Sequence, residues 1–346
     1  MKDFKYICAY SIPITAFIGL SLQGVYSYIT PIYAFILIPI IELISPISSK
    51  NLEAQTKTSK SKKALFDWML YLNLPIVYSI LLFTLYTVTN YNLETYEITG
   101  IIFTTGIVLG TNGINVGHEL GHRFTKERFI GKALLLPSLY MHFFIEHNFG
   151  HHLKVATKND PATARYNQIL YTFWFTSIVN QYISAWKTQM KLLKQNQQSF
   201  LSIKNDMLWY LIIISSYLII IAHFFGSIGF IVSLLSGIVG FLLLETINYV
   251  EHYGLLRHKT SSGRYERVRE IHSWNSNHTV GRIMLYELTR HSDHHHKASK
   301  KYQLLDHHDE SPQLPFGYPT SMVIALIPPI WFMFMNKRVP LNMKPS

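Results

Sequence analysis

Cysteine and charge are scarce in this sequence, and each shortage excludes a class of protein. The single cysteine, Cys8, excludes a disulfide framework and an iron–sulfur cluster, because both need several thiolates. Charged residues make up only 15% of the 346 positions, against about 25% in a soluble domain. Hydrophobic residues make up 49%. This balance indicates a membrane protein, in which Cys8 is a small apolar residue of the first apolar segment.

Six apolar stretches approach the roughly 20 residues that a membrane-spanning helix needs. They are residues 6–28, 30–48, 70–90, 97–116, 206–225 and 226–247. Three polar regions, 49–69, 117–205 and 248–346, lie between or after them. We therefore expect one all-α integral-membrane domain over residues 1–346, with six transmembrane helices and a cytoplasmic helical cap.

The distribution of basic residues predicts how the chain is oriented. With these boundaries, all 31 Lys and Arg residues fall in the N-terminal stub or in the three long polar regions. Because basic residues accumulate on the cytoplasmic side, both termini and all three polar regions are expected there, in an inner or cytoplasmic membrane. The net charge of +11 then reflects orientation and contact with phospholipid, and we expect no nucleic-acid binding.

Two further apolar segments do not have the properties of spanning helices. Residues 168–186 are rich in aromatic side chains and precede a basic stretch, which is typical of a helix lying along the membrane surface. Residues 319–335 contain the pair Pro328–Pro329, which interrupts a helix. An interfacial or re-entrant segment is the favoured interpretation of 319–335.

Histidines at short, regular intervals form four clusters within the polar regions. The motifs are HELGH (His118, His122), EHNFGHH (His147, His151, His152), NYVEHYGLLR (His252) and RHSDHH (His291, His294, His295). Residues three or four apart share a helix face, so each cluster of two or three is expected to aim its nitrogens at one point. Nine imidazoles exceed the needs of a single ion, and imidazole suits iron, copper, zinc and nickel. The pattern predicts a dinuclear metal site at the edge of the bilayer.

Nine neutral ligands would leave the positive charge of two divalent ions uncompensated, so nearby carboxylates are expected to orient the imidazoles and balance that charge. The candidates beside the clusters are Glu119, Glu146, Glu251 and Asp293. Glu42 and Glu245, within apolar segments, are further candidates. His142, His272 and His278 are further histidines that are expected to lie near the site or to support it, whereas His296, the third consecutive imidazole of its cluster, is expected to point away. No catalytic side chain beyond the metal centre is predicted.

The first cluster also matches the zinc-protease motif H-E-x-x-H, with Glu119 as the general base. An intramembrane protease would use two histidines and one further ligand, and would leave the other clustered histidines without a role. A non-catalytic metal carrier is another alternative. The four clusters together favour a dinuclear redox centre over both.

Several stretches resemble one family closely: NVGHELGHR, EHNFGHHLKVATKNDPATAR, NYVEHYGLLR, GRYERVREIHSWNSNH and LTRHSDHHHKASKKYQLL. They are similar to the membrane-bound alkane 1-monooxygenases, part of the wider histidine-rich di-iron superfamily of integral-membrane hydroxylases and desaturases. The NYVEHYGLLR element separates this family from desaturases that share only general histidine boxes. The chain departs from the family at Phe149, at Arg123 and in the three residues from His296.

The resemblance implies a non-haem di-iron centre held by the nine histidines listed above. It also implies O2-dependent terminal hydroxylation of medium- or long-chain alkanes to 1-alkanols, with electrons from a separate rubredoxin and its reductase. The lack of further cysteines fits a separate donor. Hydroxylation of xylene-like methyl groups and desaturation of fatty acyl chains remain open as alternatives, because the same metal site serves both.

Overall fold

The computed structural model describes residues 2–344, and its regular structure in that range is helical. The only extended pairings there are isolated bridges, such as Ile47 with His278, so the described chain contains no β-sheet. The predicted all-α fold is confirmed.

Five helical segments are long and apolar enough to cross a membrane. They are Asp3–Leu22, Gly24–Ile44, Ala64–Asn90, Thr95–Gly121 and Asp206–His252. The first four correspond to the first four predicted spans, although helical structure in the third begins before the predicted residue 70. The chain is an integral membrane protein, as predicted. The fifth segment has 47 residues and corresponds to the last two predicted spans together.

This 47-residue segment is broken at Gly226, where φ is 64° and ψ is −167°. Lys132 Nζ lies 2.7 Å from Asp206 Oδ2, and the ring of Tyr140 stacks on Phe241 with centroids 4.9 Å apart. A continuous helix would separate Asp206 from Phe241 by about 50 Å. Lys132 and Tyr140 are at most about 30 Å apart even on an extended chain. The segment therefore turns back at Gly226, which is the predicted boundary between the fifth and sixth apolar stretches. The number of membrane crossings stays a prediction.

Close backbone approach fixes the helix Thr95–Gly121, which ends in the HELGH motif. A Cβ on Gly106 would lie 2.5 Å from the side chain of Val239. Near its end, a Cβ on Gly117 would lie 3.0 Å from the carbonyl oxygen of Gly131, in the helix Thr125–Leu135. A larger residue at Gly106 would clash, and one at Gly117 would require the neighbouring backbone to shift. These close approaches hold the first histidine motif against its neighbouring helix.

The remaining helices lie mainly in the polar regions, and all of them except Leu170–Gln195 are short. The α-helices are Ala54–Ser61, Phe143–Glu146, His152–Lys154, Leu170–Gln195, Thr279–Met284, His291–His296, Tyr318–Ala325 and Pro328–Met335. A π-helical turn covers His147–His151, and 3₁₀ turns cover Glu270–His272, Tyr302–Leu304 and Leu341–Met343. As expected, the proline pair interrupts the last apolar segment, because Pro328 begins a new helix.

The helix Leu170–Gln195 covers most of the predicted interfacial segment, and it buries polar as well as apolar side chains while exposing several apolar ones. Its buried side includes Ser177 and Gln181, whose side chains donate hydrogen bonds to Glu245 at 2.7 and 2.8 Å. Its exposed side includes Tyr171 and Phe175, which is 73% exposed. An apolar outer face fits contact with lipid, and the interfacial placement stays a prediction.

The chain divides into two compact units, each assembled from separate parts of the sequence. The first unit comprises Met1–Leu37, Ala64–Ile145 and Ala185–Leu244. The second comprises Ile38–Lys63, Glu146–Ser184 and Glu245–Ser346. The prediction of one hydroxylase domain over 1–346 remains a prediction.

Candidate metal centre

Four buried histidines of the second unit converge on one point: His151, His252, His291 and His295. Nε2 of His291 lies 2.9 Å from Nε2 of His295 and 3.3 Å from Nε2 of His252. Nε2 of His151 lies 3.3 Å from Nε2 of His295. Two nitrogens bound at right angles to a metal, each at about 2.1 Å, are about 3 Å apart. The spacing and the purely imidazole donor set therefore fit a metal ion.

A second group in the same unit contains His147, His152 and His294. Nε2 of His147 lies 3.0 Å from Nε2 of His152, and the ligand nitrogens of all three lie within 4.8 Å of one another. His147 and His294 are buried, while His152 is half-buried. Three convergent imidazoles can also hold a metal ion.

The first unit contains the pair His118 and His122. The helix Asn115–Gly121 carries His118, and His122 follows it directly. Their Nε2 atoms are 3.2 Å apart, as expected for residues four apart on one helix face. The spacing of HELGH thus produces the pair of convergent donors that the sequence predicts.

In the second and fourth clusters, the structure differs from the spacing argument, because each cluster is divided between two groups. His147 faces His152, five residues on, and His151 belongs to the other group. The cause is local: the π-helical turn over His147–His151 closes its hydrogen bonds at i→i+5, so residues five apart come together. Likewise His291 and His295, four apart, share a group that does not include His294.

Two carboxylates contact the four-histidine group directly. Oε2 of the buried Glu251, a predicted candidate, lies 3.1 Å from Nε2 of His291. Oδ2 of Asp160 lies 2.9 Å from Nδ1 of His151. Asp160 was not among the predicted carboxylates, because it lies nine residues after His151 and outside the apolar segments. Its position in NDPATAR, within a stretch that carries the family resemblance, was the available signal.

The other predicted carboxylates have different partners. Glu119 forms a salt bridge at 2.8 Å with Arg123, which also pairs with Asp67. Asp293 accepts hydrogen bonds from Lys300 at 2.6 Å and from His308 at 2.9 Å.

Three further candidate carboxylates are buried among hydroxyl and amide donors. Glu146 accepts a hydrogen bond from Ser184 at 3.2 Å. Glu42 accepts one from the hydroxyl of Thr320 at 2.9 Å, and Glu245 is held by the two donors described above.

Burial sets the protonation states outside the membrane segments. It lowers the pKa of His295 well below its ordinary value, as do the neighbouring histidines, so this imidazole is neutral and able to bind a metal. Burial also lowers the pKa of His151, but the carboxylates of Asp160, Glu146 and Glu245 together raise it by more, and the net shift is upward. Burial, reinforced by the charge of Asp160, raises the pKa of Glu146 to about 7.

The supporting histidines lie outside both groups. Burial lowers the pKa of His142, in the first unit, to about 3, so it is neutral. His272 lies 3.4 Å from Glu266, and His278 shares a hydrogen bond of 3.0 Å with Ser276. Their contacts fit structural roles.

Comparisons with known proteins agree with this geometry. A family model for fatty acid desaturases matches residues 97–323. An alkane 1-monooxygenase 2 from Alcanivorax borkumensis is 34% identical over 98% of this chain and 91% of its own length. An alkane 1-monooxygenase 2 from Pseudomonas aeruginosa is 41% identical over 69% of this chain and 64% of its own. The hydroxylase component of a xylene/toluene monooxygenase from Pseudomonas putida is 27% identical over 78% of this chain and 73% of its own.

Proposed function

Since this chain belongs to the alkane 1-monooxygenases, within the fatty acid desaturase superfamily, we propose that it hydroxylates the terminal carbon of medium- or long-chain alkanes. It is an integral-membrane oxidoreductase, and alkane hydroxylation is the activity that its relatives' names carry. Within the proposal, O2 is the oxidant and a separate rubredoxin with its reductase supplies the electrons. The metal site and both termini face the cytoplasm, in the inner membrane.

The observation that carries the proposal is the convergence of buried imidazoles in the second unit. We propose that the nine histidines hold two iron ions, as the family resemblance implies. They are His118, His122, His147, His151, His152, His252, His291, His294 and His295. Ligand sets made of imidazole alone suit a redox-active metal such as iron. Both groups of ligands in the described residues consist of histidine alone.

The protein's own contribution is to position and enclose the reacting groups. An unactivated C–H bond has no leaving group and no acidic proton, so acid–base side chains alone do not break it. The bound metal pair supplies the redox chemistry that activates O2 towards such a bond. The imidazoles of the four-histidine group are at most 5% exposed, which excludes bulk water from that centre. Glu251, in contact with His291, would supply compensating negative charge to a bound metal pair.

Two related reactions would use the same site. Hydroxylation of xylene-like methyl groups is supported by the similarity to the xylene/toluene monooxygenase component, and desaturation of acyl chains by the superfamily match. The higher identity to alkane 1-monooxygenases, over nearly the whole chain, favours alkanes.

A zinc protease is disfavoured by one specific contact. Its general base would be Glu119, whose Oε1 already accepts hydrogen bonds from the Arg123 guanidinium at 2.8 and 3.3 Å. A carboxylate neutralised in this way is a poor base for activating water.

The test is product analysis with membranes that contain the protein, supplied with a rubredoxin, its reductase, NADH and ¹⁸O2. Alkanes of several chain lengths, a xylene and a fatty acyl substrate are offered separately. We expect ¹⁸O-labelled 1-alkanols and about two irons per chain. Alkene products without label would establish desaturation instead, and undiminished activity after complete removal of iron would refute the proposed centre. The matched control is His294→Ala, which should insert normally but form no product.

A further inference from the structure

Asp160 lies outside the histidine motifs, and its carboxylate contacts a metal-binding imidazole. Asp160 is 4% exposed, and its Oδ2 lies 2.9 Å from Nδ1 of His151. Nε2 of the same ring faces the other members of the group, at 3.3 Å from His295. The two nitrogens of His151 thus have separate partners, a carboxylate on one side and the metal-binding point on the other.

The loop after the second cluster holds this carboxylate firmly. The hydroxyl of Thr163 donates to Oδ2 of Asp160 at 2.5 Å and accepts a hydrogen bond from the backbone N–H of Ala156 at 2.9 Å. The backbone N–H of Ala162 donates to Oδ1 at 3.4 Å. The backbone N–H of Arg257 donates to the carbonyl of Ala156 at 2.6 Å, which fastens the loop to the chain after His252. The carboxylate position is therefore fixed by contacts that do not involve a metal.

We propose that Asp160 is the positioning residue for His151: it accepts the Nδ1–H, keeps Nε2 as the donor atom, and thereby retains the ion of the four-histidine group. This inference rests on the proposed metal centre. The hydrogen bond of one ring nitrogen selects the tautomer and the ring orientation of the other. A carboxylate partner also makes the imidazole a stronger ligand, and the loss of such a partner typically lowers metal affinity about 10- to 100-fold.

Asp160→Asn is the informative variant, because it keeps the size of the side chain and removes its charge. Glu287→Gln is the matched control: it also neutralises a buried carboxylate of the second unit, but one whose Oε2 accepts a hydrogen bond from the Arg282 guanidinium. Both variants and the wild type are purified in lipid nanodiscs and loaded with ⁵⁷Fe. The measurements are iron per chain, the rate of iron loss to a ferrous chelator, the Mössbauer spectrum and the unfolding midpoint of the metal-free protein.

We expect Asp160→Asn to lose one of two kinds of iron about 10- to 100-fold faster than the wild type and to change one Mössbauer component. Glu287→Gln should match the wild type in both measurements. Equal retention and equal spectra for Asp160→Asn would overturn the proposal. So would equal effects of the two variants, since that would show a general need for buried charge.

Two further measurements keep the inference testable on its own. If Asp160→Asn does not fold, Thr163→Val removes one hydrogen bond to the carboxylate and should accelerate loss of the same iron several-fold; no change would overturn the proposal. Cobalt(II) titration of the metal-free proteins reports affinity without turnover. If the wild type forms no alkanol, the proposed function is refuted. If Asp160→Asn nevertheless binds cobalt more weakly than the wild type, the role of Asp160 is supported.

Discussion

Replacing Gly226 by alanine is expected to destabilise the protein by about 1–3 kcal/mol, the usual cost of a backbone conformation that only glycine adopts readily. At φ 64° and ψ −167°, Gly226 lies in such a region. A Cβ built on this residue meets no atom within 4 Å, so steric contact with neighbouring side chains adds nothing. The cost therefore comes from the backbone alone and corresponds to about a 5- to 150-fold change in the ratio of folded to unfolded protein.

Alanine would favour a continuous helix at this position by about 1 kcal/mol, but the fold prevents that gain. Asp206 and Phe241, on either side of the break, both contact the stretch between Lys132 and Tyr140, so the helix cannot straighten. Gly226→Asn should be as destabilising as Gly226→Ala, because asparagine tolerates the left-handed helical region, where ψ is near +45°, and not this one.

The assay is the unfolding midpoint in mixed micelles of a mild detergent and dodecyl sulfate, followed by intrinsic fluorescence. Ser227→Ala is the matched control, since this neighbour is exposed and a surface change of this kind is usually within about 0.5 kcal/mol of neutral. If Gly226→Ala unfolds at the same midpoint as Ser227→Ala, the turn at Gly226 is not required and the reasoning fails.

Three other predictions concern the metal centre, pH and the membrane. His294→Ala should abolish product formation and lower bound iron while the protein still reaches the membrane. His223→Ala, at an exposed position, should retain product formation and bound iron. Gas chromatography and metal analysis measure the two properties, and equal losses in the two variants would contradict the ligand role of His294. Burial raises the pKa of Asp306, but hydrogen bonds from Lys300 at 2.7 Å and Lys57 at 2.6 Å lower it by more, so the folded value is below the ordinary one. This group therefore stabilises the fold above its unfolded pKa, near 4, and the contribution disappears as the pH falls through the folded pKa. The unfolding midpoint of Asp306→Asn should accordingly approach that of the wild type below pH ~4, and a constant difference from pH ~3 to ~6 would refute the assignment. In a Cys8→Ser background, a nitroxide attached at Phe175→Cys should be more accessible to O2 than to a water-soluble nickel complex. A nitroxide at Asn180→Cys, on an exposed polar position of the same helix, should show the reverse. Equal nickel access at the two positions would exclude contact of Phe175 with lipid.

Hydropathy and residue spacing were sufficient where the relevant interaction is local. Apolar length predicted the helices that can cross a membrane, the break before residue 226 and the interruption at Pro328. The interval of four in HELGH predicted the contact between His118 and His122, because an α-helix brings such residues onto one face. These features depend on covalent geometry and on backbone hydrogen bonds within a few residues.

Spacing was insufficient where the backbone leaves the α-helix or where the partner is distant in sequence. The π-helical turn over His147–His151 changes which residues face each other, and no spacing rule for an α-helix anticipates it. Arg123, four residues after Glu119, was a foreseeable partner for that acid, but its second partner, Asp67, comes from another helix. The contact of Glu251 with His291 likewise depends on how the chain folds between them.

The division of the histidine clusters has a mechanical consequence for the second unit. His151 and His152 are consecutive residues, and so are His294 and His295, yet in each pair the two residues belong to different groups. A shift or rotation of the helix His291–His296 therefore moves donors of both groups at once. The same holds for the π-helical turn His147–His151. Because imidazole ligands must stay within a few tenths of an ångström of their bond lengths, the two groups cannot adjust independently. In the proposed metal centre, an ion bound by one group would therefore restrain the donors of the other group and favour the loading of two ions over the loading of one.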